Sequence, residues 1–383
     1  MHIPEGYLSP STCLAMGAAC VPFLRRAMAV VQRESRQMLL PRIALAAAFS
    51  FAIQMINVPV PDGTTAHATG AALIAIVLGP WAALLALTVT LAIQALVFAD
   101  GGILALGANI FNIGVLESLS AWALYRLLTR GPGGERRRVW AAAAAAFVSI
   151  NLSALATGVE LGLQPLLFRA PDGTPLYAPY PLSLAVPAML YAHLLVAGPL
   201  NALVTGLAVR YLIRTGQPLY GEAHPAAVSG PAAAADGAAP APAAEAGVAH
   251  AAASAAHAGA GAAHAGSGAT QPPVRNLLPR WALVGLGLTV LATPLGLLPE
   301  GAAWGEWGPE ELEALFGYVP EGLRRWAGFW QGLIADYEVP GLGDSLLRQA
   351  IGYWLSAAVG IGLIALTFWL VARVARPSRT PGR

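Results

Sequence analysis

ATGAALIAIVLGPWAALLALTVTLAIQALVF, residues 68–98, holds no charged side chain. Crossing a bilayer asks for about 20 apolar residues per helix, so this run reads as membrane-embedded. Gly79-Pro80 divides it, because proline has no amide to continue a helical ladder and clashes with the preceding turn. Two helices are expected, at 68–79 and 81–98, the first short enough to be a re-entrant half-helix or to merge with the second. Outward from this run, similar apolar stretches occur at 9–31, 41–57, 105–129, 139–160 and 186–214.

Beyond residue 215 the character changes. Residues 216–275 are nearly all Ala, Gly, Pro and His, without apolar periodicity, and such a segment cannot bury enough surface to offset its ordering entropy. Two further apolar stretches follow, at 279–298 and 351–373, separated by a polar, Trp-rich and acidic loop over 299–349. The expected fold is all-α: a polytopic membrane bundle with a seven-helix core (1–215), a flexible linker (216–275) and a two-helix module (276–383) carrying a large outer loop.

Composition agrees. Of 383 residues, 56% are hydrophobic and 11% charged, with mean hydropathy +0.60; a soluble domain carries about 25% charged residues. The net charge of +2 argues against a nucleic-acid partner. All 22 basic residues are arginine. Without lysine there is no Walker A loop, so any ATP hydrolysis belongs to another subunit. Cys13 and Cys20 lie two turns apart on one helix, about 10 Å, too far for a disulfide. No GxSxG, HExxH, CxxC or phosphate-binding loop occurs in a credible context, so nothing points to an enzyme.

Arginine placement orients the chain. Arg25, Arg26, Arg33, Arg36 and Arg42 lie between the first two helices, Arg126, Arg130 and Arg136 to Arg138 between the fifth and sixth, and Arg210 and Arg214 end the seventh. Arg275 and Arg280 precede the eighth helix, and Arg373 and Arg376 follow the ninth. All fall on the cytoplasmic side if the N-terminus is outside and the C-terminus inside. Arg169, Arg324, Arg325 and Arg348 violate the bias, in outer segments long enough for the rule to weaken. The expected location is a bacterial or archaeal plasma membrane.

The same count puts the 58–67 loop on the side of Met1-His2, in MHIPEGYLSP, where no leader is expected to precede Met1. A terminal amine, the His2 amide and the His2 imidazole can wrap one metal ion, and a second imidazole completes a plane of four nitrogens, which suits Ni(II) or Cu(II) and, less strictly, Co(II). His67, in PDGTTAHATG, is the leading candidate for the fourth ligand, and an outer-loop imidazole there is expected to bury little. His193 is its rival, read otherwise as a structural histidine. Asp100, Asn109 and Asn112 follow the same face and serve either as caps and interhelical bonds or as groups that orient a liganding imidazole. Asp62 can shape its turn, and a conservative change at Glu5 is expected to weaken metal binding far less than a change at the terminal amine. Glu117 and Glu160 are carboxylates near apolar spans without an assigned role. The linker histidines His224, His250, His257 and His264 are either incidental or loose metal captors.

MHIPEGYLSP, DGTTAHATG, ADGG and GANIFN occur in order within residues 1–215, and over that stretch the chain resembles the metal-binding membrane subunit of energy-coupling-factor importers, the NikM/CbiM type. TPLGLLPEGAAWGEWGPEELE and DYEVPGLGD resemble the small second component, NikN or PDGLE-like, although the PDGLE string itself is not intact. The resemblance implies Met1, His2 and His67 as metal ligands. It implies a transported Ni(II) or Co(II) ion, with no resident cofactor, and uptake for nickel enzymes or cobalamin synthesis. It also implies a transmembrane coupling subunit and ATP-hydrolysing subunits as partners within the lipid bilayer. The competing reading is a membrane metal channel or sensor with no ATPase. Between the metals, an amine and amide in one plane favour low-spin Ni(II) over Co(II).

Overall fold

The computed structural model describes residues 2–33, 36–60, 64–221, 280–298, 305–343 and 345–374. Every stretch expected to be helical is helical. In chain order these are α1 (Pro10–Arg33), α2 (Arg36–Gln54), α3 (Ala71–Leu78), α4 (Pro80–Phe98), α5 (106–128), α6 (Glu135–Leu167), α7 (Leu182–Arg214) and α8 (Arg280–Leu297). Two short helices follow that the sequence does not announce, α9 (Pro309–Phe316) and α10 (Glu321–Trp326), and then α11 (Leu346–Val374). A two-residue hairpin, β1 (Val58–Pro59) and β2 (Thr65–Ala66), pairs antiparallel with Val58 opposite Ala66.

Among the described residues six helices are long and apolar enough to cross a membrane: α1, α4, α6, α7, α8 and α11. This is the make-up of a multi-pass membrane protein. The expected seven plus two crossings are not reached on length alone. The apolar part of α2 is the shorter Leu39–Gln54, and α3 has 8 residues, about 12 Å against a hydrocarbon core of about 30 Å. The break between α3 and α4 is where the sequence puts it. Gly79 adopts φ 90°, and a Cβ there would lie 2.7 Å from the Tyr220 ring. Pro80 then opens α4 at a position whose amide needs no partner.

Local chemistry explains the other ends. Ser9 caps α1, its Oγ accepting the Thr12 amide at 3.1 Å, with Pro10 in the first turn. α6 runs 33 residues and turns an alanine face, including Ala141, Ala142, Ala145 and Ala146, to its neighbours, so the backbones of α6 and α7 approach closely. α4, α5 and α7 each contain a wider π turn, at Gln94–Phe98, Ile110–Glu117 and His193–Ala197. Such bulges redirect side chains and mark functional sites with some frequency; here each carries a buried polar residue, Gln94, Glu117 and His193.

The described residues before and after 223–276 form one compact unit. α11 packs on α2, close enough that a Cβ on Gly360 would meet the Phe51 ring. Of the 216–275 segment only 216–221 is described, so its reading as a linker and its histidines lie outside the described residues, as does Asp62.

Candidate metal site

The chain's start is seated as a strand-like strap over the end of the bundle. Ile3 N–H donates to Asn109 Oδ1 at 2.8 Å, and Asn109 Nδ2 returns a bond to Ile3 O at 3.2 Å. Gly102 N–H donates to the same carbonyl at 2.9 Å. Glu5 accepts the amides of Ile103 (2.6 Å) and Leu104 (3.2 Å). Glu5 is therefore a clamp on the 100–104 turn rather than an indifferent position. Gly101 (φ 83°) and Gly102 allow the approach, since a Cβ on Gly102 would come within 2.8 Å of the Glu5 backbone.

The strap delivers His2 into a buried slot. Its Nδ1 lies 2.5 Å from Asp100 Oδ1 and its Nε2 2.9 Å from Gln54 Oε1. Asp100 stands just past the π turn of α4, whose Gln94 donates to Oδ2 at 3.2 Å. A second donor to Oδ2 is the hydroxyl of Tyr337, at 2.5 Å, from far along the chain. Burial would raise the Asp100 carboxyl, but the facing His2 and the bonds from His2 and Tyr337 outweigh it and hold the group well below the usual carboxylate range.

His67 meets His2 there, with ring centroids 4.9 Å apart and ring planes at 51°. The β1–β2 hairpin and the Ala68–Gly70 turn carry it. His67 is 1% exposed, which corrects the expectation of an outer-loop imidazole that buries little. Burial holds the ring neutral, well below the usual histidine range. Its Nδ1 lies 3.4 Å from Ala68 O, and its Nε2 has no hydrogen-bond partner among the described residues. A buried bare nitrogen costs roughly 1–3 kcal/mol unless something else meets it.

Met1 lies outside the described residues. His193 is also fully buried, on the π turn of α7 beside β2, with Nδ1 donating to Met189 O at 2.7 Å and Nε2 bare. Asn112 does not join the strap; its amide donates to Thr157 (3.1 Å) and Glu160 (2.9 Å) inside the bundle. Among the described residues no three His, Cys, Asp or Glu side chains gather into a metal site.

The sequence reading missed Gln54, Gln94 and Tyr337. The two glutamines had a signal: each is an amide side chain in an apolar helical stretch, FAIQM and LAIQA, where polarity is functional by default. Tyr337 had none, because only tertiary structure brings it to Asp100.

The family of cobalt uptake substrate-specific transmembrane regions, CbiM, matches residues 2–219. The fused nickel transport protein NikMN of Rhodobacter capsulatus is 40% identical, with both chains covered end to end. The probable fused nickel transport protein LarMN of Lactiplantibacillus plantarum is 38% identical over 96% of each chain. A crystal structure of a truncated transition metal transporter superposes with a TM-score of 0.54 at 53% identity, covering 56% of this chain and 99% of that one.

Proposed function

The chain belongs to the CbiM family, and from that premise we propose that it captures a divalent transition metal ion, nickel in preference to cobalt, for import. The observation that carries the reading is the His2–His67 pair, 4.9 Å apart and buried, with the His67 Nε2 bare. The terminal amine of Met1, the amide nitrogen of His2 and His2 Nδ1 close one five-membered and one six-membered chelate ring. His67 Nε2 supplies the fourth nitrogen of a plane that suits Ni(II). Ligation through Nδ1 takes the place of its contact with Asp100, which keeps Gln94 and Tyr337 as donors. Asn109 holds the strap that carries His2 without touching the ion.

In this reading the N-terminus lies outside and the C-terminus in the cytoplasm. Residues 1–215 are the capture core, 216–275 the linker and 276–383 a second membrane module. A transmembrane coupling subunit and separate ATP-hydrolysing subunits drive release inward, since the chain has no lysine for a phosphate-binding loop.

The test compares the chain with its natural terminus and the same chain carrying one extra residue before Met1. The extension moves the amine out of both chelate rings while leaving both histidines. Bound nickel and the square-planar absorption band are expected to be lost. Equal nickel in both proteins would refute the chelate.

A further inference from the structure

The bundle interior holds a carboxylate that the capture chemistry does not use. Glu117 sits at the end of the π stretch Ile110–Glu117 in α5, with 0% exposure and no arginine bonded to it among the described residues. Its Oε1 accepts the Thr69 hydroxyl at 2.6 Å and the Asn201 amide of α7 at 3.3 Å, while Oε2 has no partner among the described residues. A carboxyl group at such depth is costly, and leucine would pack in its place without that cost.

Thr69 is two residues from His67 in the same turn. Its carbonyl accepts the Ser50 hydroxyl at 2.7 Å, and its own oxygen caps the Ala71 amide at the start of α3, at 3.2 Å. Ser50 in turn accepts from Gln54 Nε2 at 2.7 Å, and Gln54 Oε1 faces His2 Nε2 at 2.9 Å. One chain of bonds therefore runs from His2 through Gln54, Ser50 and Thr69 to Glu117. Both imidazoles of the capture site hang from it, one at its end and one beside Thr69.

We propose that Glu117 is a positioning residue for the metal site: by taking the Thr69 hydroxyl it fixes the His67-bearing turn against α5 and α7, and so sets the spacing of the two imidazoles. The inference rests on the reading of His2 and His67 as ligands. It assigns Glu117 no contact with the ion.

The experiment measures nickel affinity and the d–d absorption band of the full chain in detergent for four variants. Glu117→Ala removes the acceptor, and loss of about 10-fold in affinity with a displaced band is expected, in line with other groups that orient a ligand. Glu117→Gln keeps an oxygen for Thr69 and is expected to stay within about 3-fold of the parent with the parent band. Thr69→Val removes the same bond from the other side, together with the cap on the Ala71 amide, without opening a carboxylate-sized hole. It should reproduce the Glu117→Ala spectrum, so the test survives if Glu117→Ala does not fold. Parent-like affinity and band in Thr69→Val would overturn the proposal, as would a Gln variant as weak as Ala. His67→Ala in the same series separates the two readings. If it keeps its nickel, the site assignment fails. If it loses nickel while Thr69→Val does not, only the role of Glu117 fails.

Discussion

The core helices and the C-terminal segment contribute to the site out of proportion to how they are packed. α4 buries residue after residue from Pro80 to Ile93, whereas α8 has no buried residue between Arg280 and Ala292. Yet the C-terminal segment places Tyr337 on Asp100. It gets there by binding backbone as well as by the packing of α11 on α2. The amides of Leu333 and Ile334 donate to Val97 O at 2.7 and 2.8 Å, and the Trp330 indole donates to Leu96 O at 3.0 Å, taking up carbonyls that the π turn of α4 exposes. Tyr337 then stacks on Phe98, with centroids 4.7 Å apart. Ala99, Asp336 and Tyr337 are the non-glycine residues with positive φ, at 54°, 51° and 63°, and all three stand at this junction among the described residues. Strain of this kind persists where surrounding structure demands a particular geometry. Depth of packing fixes the scaffold; a few directed bonds from a loosely packed segment reach the site.

If the core supplies the ligands and the C-terminal segment only orients them, the largest effect belongs to the core. His67→Ala should weaken nickel binding by more than about 100-fold, beyond the range usual for groups that merely orient a ligand. Because the ring is fully buried, the substitution also opens a cavity, so thermal unfolding of the metal-free protein must be recorded beside nickel content. Unchanged nickel stoichiometry in folded protein would remove His67 from the ligand set.

The next effect tests the seat of the strap. Gly102→Ala forces a methyl against the Glu5 backbone, 2.8 Å away, so the strap has to move. The expected loss in nickel affinity is about 10- to 30-fold, of the size seen when supports of a ligand are removed. Parent-like affinity would mean that the strap has slack and that the close approach does not set the position of His2.

Tyr337→Phe then measures the C-terminal contribution alone. The ring still stacks on Phe98, so what is lost is one hydroxyl. When His2 Nδ1 turns to the ion, Asp100 is left with Gln94 and Tyr337 as donors, and removing one costs about 1.5 kcal/mol for a bond to a charged group. Nickel affinity should fall about 10-fold. No change in affinity would show that the C-terminal segment contacts the site without serving it.

This contrast also explains what could be read from the sequence. Helices show because apolar runs and the Gly79-Pro80 break are local signals. His2 and His67 show because their ligand chemistry and their shared face follow from the order of the spans. The burial of His67 does not show: a hairpin of two-residue strands folds the polar run back into the bundle, and nothing in TTAHATG announces that. Tyr337, Gln54 and the clamp at Glu5 are long-range bonds, and no pattern within one segment encodes them. The PDGTTAHATG run marks the histidine that faces His2, but not its burial.

The smallest effect is expected at His193, and it sharpens the comparison within the core itself. His193 resembles His67 in being fully buried with a bare Nε2, and it stands beside β2, so proximity and burial alone do not distinguish a ligand from a structural residue. The difference is in the other nitrogen. His193 spends Nδ1 on the carbonyl one turn back in its own helix, Met189 O at 2.7 Å, which ties the ring to the irregular turn of α7. His67 makes no bond of that quality; its Nδ1 lies 3.4 Å from the neighbouring carbonyl. Instead its ring faces that of His2 at 4.9 Å. His193→Gln keeps a polar group of similar reach and should change nickel affinity by less than about 3-fold, while costing about 1 kcal/mol of stability through the lost intrahelical bond. The two measurements must move apart. A folded His193→Gln protein that has lost its nickel would make His193 the fourth ligand, and the plane of nitrogens would then be completed by α7 rather than by the hairpin.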